Sequence, residues 1–352
     1  MVAQRLLLAG LVAVAEAVPA EPAKPNVLLM LCDDLRPWMP FYGDEMGVKA
    51  PNLAKLAAEG MAFNNSYCQQ AICSPTRNSF MTGRRPDSTR IWNFQGSFRD
   101  VGLDKSGKHG KDWQTLPEAF KVAGYTTTGL GKTFHPGSPK NWDQPRSWSP
   151  EYPYYDPDEQ IASFHTLIPV GEQKYPAIEA ATGDCVPKNC AGFVCHDHDN
   201  WTTTCNLPEQ NTTDYITAAR AVSQLTEIGG KANPFFFAVG FHKPHPNWPI
   251  PMRLQDMYKD LPLTTSKHAP VGMPPEAFIS CDFLQDHDDV KAAVLDGHGI
   301  LPNTSLPDVL AHKIRAGYAA GITWMDEQAG KVLDTLERVG HKDDTIVLFT
   351  AE

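Results

Sequence analysis

The stretch "PNVLLMLCDDL", residues 25–35, constrains the fold more than any other part of the chain. An apolar run without polar alternation ends there abruptly in two acids. Such a run suits a parallel strand covered on both faces, and in an open α/β sheet the C-terminal strand tips border the ligand crevice. Asp33 and Asp34 are therefore expected at the rim of a binding site.

Strand and helix signals then alternate. "NLAKLAAEG" (52–60) and "TLPEAFKVAGY" (115–125) carry helical spacing, the first closed by a glycine and the second leading into a short strand at "TTTGL" (126–130). A helix over 212–228, a strand "PFFFAVGF" (234–241), a long helical region over 307–339 and a strand "TIVLFT" (345–350) complete the series. The pattern predicts an α/β fold, with a doubly wound, mostly parallel central sheet and helices on both faces. A hydrophobic share of 42% over 352 residues is enough for its core. Between residues 136 and 210 the texture changes to Pro, Tyr, Trp, Asp and Cys with little periodicity, as expected of a long irregular insertion bordering the site.

The first twenty residues, "MVAQRLLLAGLVAVAEAVPA", read as a secretory signal peptide: an early Arg, an apolar run, then small residues up to Ala20. Residues 21–352 form the body of the protein, and no later stretch is long and apolar enough to span a bilayer. Cys185, Cys190, Cys195 and Cys205 crowd one polar segment beside His196 and His198. No C-x-x-C pair supports zinc, so disulfides are expected, with three pairings open. Sequons at Asn64, Asn200, Asn211 and Asn303 fit the same compartment. A net charge of -10 argues against nucleic-acid binding, which needs a basic footprint.

Adjacent carboxylates resist joint ionisation unless a cation offsets them, and a hard divalent ion held by oxygens is one solution for Asp33 and Asp34. A second cluster is "AICSPTRNSF", residues 71–80. A thiolate phosphatase loop requires C-x₅-R, whereas Arg77 follows Cys73 by four positions. What remains is C-x-P-x-R, the signal for oxidation of a sulfatase cysteine to formylglycine. "GLGKT" (129–133) has part of a P-loop, but Thr126 stands where that motif needs Gly and Pro136 intrudes on the required helix.

With these motifs in view, the chain resembles the formylglycine-dependent sulfatases of the alkaline phosphatase superfamily, nearest their iduronate-2-sulfatase branch. The matching stretches are "NVLLMLCDDLRPWMPFYGD", "APNLAKLAAEGMAFNNSYCQQAICSPTRNSFMTGRRPDSTRIWNF", "GYTTTGLGKTFHPG", "PFFFAVGFHKPH" and "GYAAGITWMDEQAGKVLDTLE". The resemblance implies one Ca²⁺ ion held by Asp33, Asp34 and the oxidised Cys73, with Arg77 holding the hydrated aldehyde. It implies Lys132 and His135 as the sulfate-contacting pair and His242 as the active-site histidine, with Lys243 merely its neighbour. A hydrated formylglycine divides the reaction in two: one hydroxyl attacks sulfur, and the second then expels sulfate as the aldehyde re-forms.

The implied substrate is a sulfated polysaccharide or glycosaminoglycan. The implied maturation partner is the formylglycine-generating enzyme, and the implied destination is the lysosome or the extracellular space. The family completes its calcium site after the strand matching "TIVLFT" with an Asp followed by His or Asn. This chain reads "FTAE", so Glu352 falls where the Asp would be and is expected to be poorly positioned, with the C-terminal part of the catalytic domain missing. A non-catalytic paralogue that binds sulfated glycans is the competing expectation, and a superfamily phosphodiesterase is disfavoured because it would want Ser or Thr at position 73.

Overall fold

The computed structural model describes residues 24–43, 46–157, 209–246, 248, 250–261, 271–274 and 307–352. The expectations for the signal peptide, the four clustered cysteines, the sequons at Asn200 and Asn303 and most of the insertion lie outside the described residues.

The opening apolar run forms β1 (Asn26–Cys32). Leu28, Met30 and Cys32 enter one core cluster and Leu29 and Leu31 the other, which is why the strand needs apolar residues at every position. After it come α1 (Pro51–Glu59), α2 (Cys73–Thr82), α3 (Leu116–Val122) and β2 (Thr126–Gly131). Beyond these are α4 (Thr213–Ile228), β3 (Phe235–Gly240), the short α5 (Met252–Met257), α6 (Asp308–Arg338) and β4 (Thr345–Ala351). The strands form a fully parallel sheet in the order β2-β3-β1-β4.

Two layers of helix cover this sheet. Leu53 of α1, Ala218, Ala221, Leu225 and Ile228 of α4, Leu254 of α5 and a long stripe of α6 pack on one face. On the other, Met81 of α2, Phe120 of α3 and the aromatic residues Phe98, Trp113, Phe134 and Trp148 close over Leu29, Leu31, Phe236 and Ala238. Burial of each large apolar side chain contributes about 1.5–3 kcal/mol, and Phe235, Phe236 and Phe237 in succession serve both faces. The expected doubly wound α/β architecture is the one observed.

Register carries this frame to the site. Gly131 of β2 lies opposite Gly240 of β3, Gly240 opposite Leu31 of β1, and Leu31 opposite Thr350 of β4. The residues leaving these strands, Lys132, Phe241, Cys32 with Asp33, and Ala351 with Glu352, therefore emerge along one rim. At that rim β2 and β3 pinch together: a Cβ on Gly131, whose φ is +68°, would sit 2.1 Å from the Gly240 carbonyl oxygen, and one on Gly240 would sit 2.1 Å from the Lys132 carbonyl carbon. Only glycine permits both the close approach and the left-handed turn.

At the opposite end a polar node ties the strand starts. Asn26 donates to Asp344 at 3.3 Å and accepts from the Phe235 N–H at 3.0 Å. His341 lies 2.9 Å from Asp344 and 2.8 Å from the Gly229 carbonyl oxygen. Among the described residues β4 is the outer strand on its side, and it leaves Ile346 56% and Leu348 47% exposed.

Candidate active site

Asp33 and Asp34 follow directly from β1. Successive residues of an extended strand would point to opposite faces, but Asp34 adopts φ +56°, a left-handed conformation that Asp tolerates. The chain turns there, and both carboxylates stay on the rim. Tyr318 of α6 fixes this turn, its hydroxyl donating to the Asp34 carbonyl oxygen and accepting from the Arg36 N–H at 2.7 Å.

Cys73 opens α2, and the residue before it supplies no side-chain cap. The N–H groups of that first turn give the site a positive helix end. Almost every residue of α2 is buried although most are polar, and many of the polar groups are paired, Asn78 Oδ1 and Arg77 Nε being exceptions. Asn78 donates to the Ser74 carbonyl oxygen at 2.7 Å and to Ser138 at 3.1 Å, and Thr82 donates to the Asn78 carbonyl oxygen at 2.7 Å.

Arg77, one turn along α2, is fully buried. Its guanidinium donates to Asp33 at 3.0 Å and to Glu352 at 3.1 Å. It also donates to the Lys132 carbonyl oxygen, and to that of Thr133 at 3.3 Å. Lys132 in turn places its ammonium on the other oxygen of Asp33. Burial alone would raise the Asp33 pKa, but the charges of Lys132 and Arg77 outweigh it and hold the carboxyl well below the usual range. Asp34 behaves oppositely: partial burial and the neighbouring Asp33 charge push it up to about 6.

The Cys73 thiol lies 4.0 Å from Asp34. Burial and the Asp33 charge push it up to about 12, so the thiol holds its proton at neutral pH. Ligand atoms of Asp33, Asp34, Cys73 and Glu352 all lie within 4.8 Å of one another, as do those of Asp33, Cys73 and His245. Glu352 is thus not the poorly positioned residue expected from the sequence. Its side chain is 2% exposed, because β4 pairs with β1 along its whole length and delivers it beside Asp33 and Arg77.

The histidines divide. His242 lies with its Nδ1 3.8 Å from Asp214, and Asp214 accepts the backbone N–H groups of His242 at 2.7 Å and Lys243 at 2.9 Å. His245 stands 3.8 Å from Asp34, and burial together with the Lys132 charge pushes it down to about 3, leaving a neutral imidazole. Lys243 donates to the His245 carbonyl oxygen at 3.0 Å. His135 is half-buried against Phe94, with ring centroids 5.0 Å apart, and burial and the Lys132 charge push it down to about 4.

The rim therefore gathers Asp33, Asp34, Cys73, Arg77, Lys132 and Glu352, with His245 beside them and His242 and His135 at its margin. Sequence reasoning missed Asp214, Tyr318 and Tyr154. The Tyr154 hydroxyl donates to the Gly131 carbonyl oxygen and lies 2.9 Å from Thr133, steadying the loop that carries Lys132. Cys68, on the loop between α1 and α2, is a free and exposed thiol.

A family model described as Sulfatase matches residues 25–352. The chain is 33% identical over 331 residues to iduronate 2-sulfatase of Mus musculus and, equally, to that of Homo sapiens. Each alignment covers 93% of this chain and 54% of the relative, so the chain spans about half the length of the curated relatives it matches. Among solved structures, the phosphonate monoester hydrolase of Agrobacterium radiobacter superposes with a TM-score of 0.59 at 22% identity, over 93% of this chain and 62% of that one. At that identity the likeness speaks for the fold.

Proposed function

The chain belongs to the sulfatase family, and on that premise we propose that the rim site hydrolyses sulfate esters of sulfated glycans. The kinship to iduronate 2-sulfatases favours the 2-O-sulfate of a terminal iduronate in heparan or dermatan sulfate as the bond cleaved. The observation that carries the reading is the convergence of three carboxylates and Cys73 within 4.8 Å, with Arg77 and Lys132 on the same carboxylate.

The donor set fits a hard divalent cation. Carboxylates of Asp33, Asp34 and Glu352 supply oxygens, and Asp34, pushed up to about 6 by burial and then by the Asp33 charge, is a carboxyl that a bound cation would help to ionise. The thiol of Cys73 is the misfit, since such ions prefer oxygen, and its oxidation would remove the mismatch. Ca²⁺ bound by these residues supplies positive charge that polarises a sulfate oxygen. Conversion of Cys73 to formylglycine supplies a hydrated aldehyde with a hydroxyl for attack on sulfur, where the protonated thiol would serve poorly.

The other roles belong to residues already in place. Lys132 and the N-terminal turn of α2 bind the sulfate oxygens and stabilise charge as it builds. Arg77 helps keep Asp33 ionised and holds both Asp33 and Glu352 in position. His242, backed by the Asp214 carboxylate, hands a proton to the departing sugar oxygen. His245 is neutral and accepts a hydrogen bond or offers a ligand nitrogen beside Asp33. His135 contacts the sulfate from the side of Phe94. Maturation would take place in the secretory pathway through the formylglycine-generating enzyme, with the lysosome or the extracellular space as destination.

Peptide mass spectrometry across residue 73, after expression in secretory cells, tests the nucleophile. Oxidation to the aldehyde lowers the peptide mass by about 18 Da. Assay of the same protein with an aryl sulfate and with 2-sulfated disaccharides tests the reaction. An intact thiol and binding to heparin without turnover would replace hydrolysis by the non-catalytic reading.

A further inference from the structure

Trp92 and Phe94 stand exposed on one turn, with the Phe94 ring against His135. Trp92 and Phe94 are 53% and 58% exposed, whereas Trp113, Trp142, Trp148, Trp248 and Trp324 are all buried. Leaving two large rings in water forgoes their burial, and apolar surface kept exposed at such a place marks a contact site.

The turn that carries them is tied down at several points. Ile91 and Phe98, both fully buried, anchor its two ends. Asn93 accepts the Gln95 N–H at 2.8 Å, and Gly96 at φ +84° closes the bend. Gln70 donates to the Trp92 carbonyl oxygen at 2.9 Å, and the Gln70 carbonyl oxygen accepts the Ile72 N–H at 2.7 Å and the Thr76 hydroxyl. Ile72 precedes Cys73 and Thr76 lies in the first turn of α2, so the ledge is tied to the helix that presents the nucleophile. At its other side the Phe94 ring rests 5.0 Å from His135, whose titration feels the charges of Lys132, Asp33 and Arg77.

We propose that Trp92 and Phe94 form a platform for the pyranose ring next to the sulfated one, selecting oligosaccharide over monosaccharide esters. The inference rests on the sulfate-ester reading for the location of the sulfated ring. A pyranose presents a face of C–H groups that packs on an aromatic ring while its hydroxyls stay in water, which suits two rings exposed on a stiff turn. A rigid aromatic contact surface costs little ordering entropy on binding.

The test compares wild type with the double variant W92A/F94A and the conservative W92F/F94Y, on a sulfated monosaccharide and on a disaccharide ending in that same residue. For W92A/F94A the ratio of kcat/KM for disaccharide to monosaccharide should fall about tenfold, mainly through KM, and W92F/F94Y should restore most of it. An unchanged ratio overturns the platform, whatever happens to the individual rates, and leaves hydrolysis standing. Should no sulfate ester be turned over, calorimetric titration with the sulfated disaccharide decides. Binding weakened about tenfold by W92A/F94A keeps the platform while hydrolysis falls, and binding absent or indifferent to the substitution overturns the platform.

Discussion

At the scale of single residues, Asp214 shows how much of the site is held from outside it. It is fully buried and accepts two consecutive N–H groups, from His242 and Lys243. Burial pushes its carboxyl up, and His242 pulls the other way. Asp214→Ala should strand both donors and lower stability by about 1–3 kcal/mol, with a fall in kcat for sulfate-ester turnover larger than the change in KM. Asp214→Asn, which keeps one acceptor, should fall between, and parallel thermal melts and kinetics check the order. Asp33, Asp34, Cys73, Arg77 and Lys132 were legible because each stands in a short motif or at a strand tip. Asp214 was not, since a lone acid in the first turn of a helix reads as a favourable end charge and only the fold brings β3's exit over it. Glu352 was misjudged for a related reason: its environment comes from pairing between the first and last strands, which no local pattern records.

Among the elements, α2 was the hardest to see. A helix buried on nearly every side yet built of Ser, Thr, Asn and Arg has no apolar stripe for periodicity to detect, so the reading of its sequence found the motif and not the helix. By contrast α4, α6 and the four strands lie close to where their apolar spacing put them. α1 depends on a partner as well. Its N-cap position, Ala50, offers no side chain to the first turn. Asp326 of α6 does so instead, accepting the N–H groups of Asn52 at 3.1 Å and Leu53 at 2.8 Å and the Asn52 amide at 2.9 Å. Cutting that cap with Asp326→Ala should cost about 1–2 kcal/mol and loosen α1 first. Hydrogen exchange would show faster exchange in the first turn of α1 than in β1, and uniform loss across the sheet would contradict a local capping role.

For the molecule as a whole, the node far from the rim sets a pH response. The Gly229 carbonyl oxygen, then Asp344, draw protons to His341 and raise its pKa above 6.5. Both partners are acceptors, which the doubly protonated ring satisfies. A histidine with a raised folded pKa adds stability that is complete below the unfolded pKa and fades as pH climbs through the folded one. Thermal midpoints should therefore drift down between about pH 6 and pH 8, and His341→Gln should flatten that drift. An unchanged slope in the variant would remove His341 as its origin. The layered α/β design was readable from alternation alone, but strand order was not, since nothing local says that β4 lies against β1 rather than beyond β3. That adjacency has a temporal side. Cys32 at the end of β1 meets Thr350, 318 positions later, through a long thiol contact, and Arg77 waits for the carboxylate of Glu352. A nascent chain leaving the ribosome must hold its opening strand and a buried arginine unfinished until residues 345–352 have emerged, so its need for chaperones should persist at least until that strand is made.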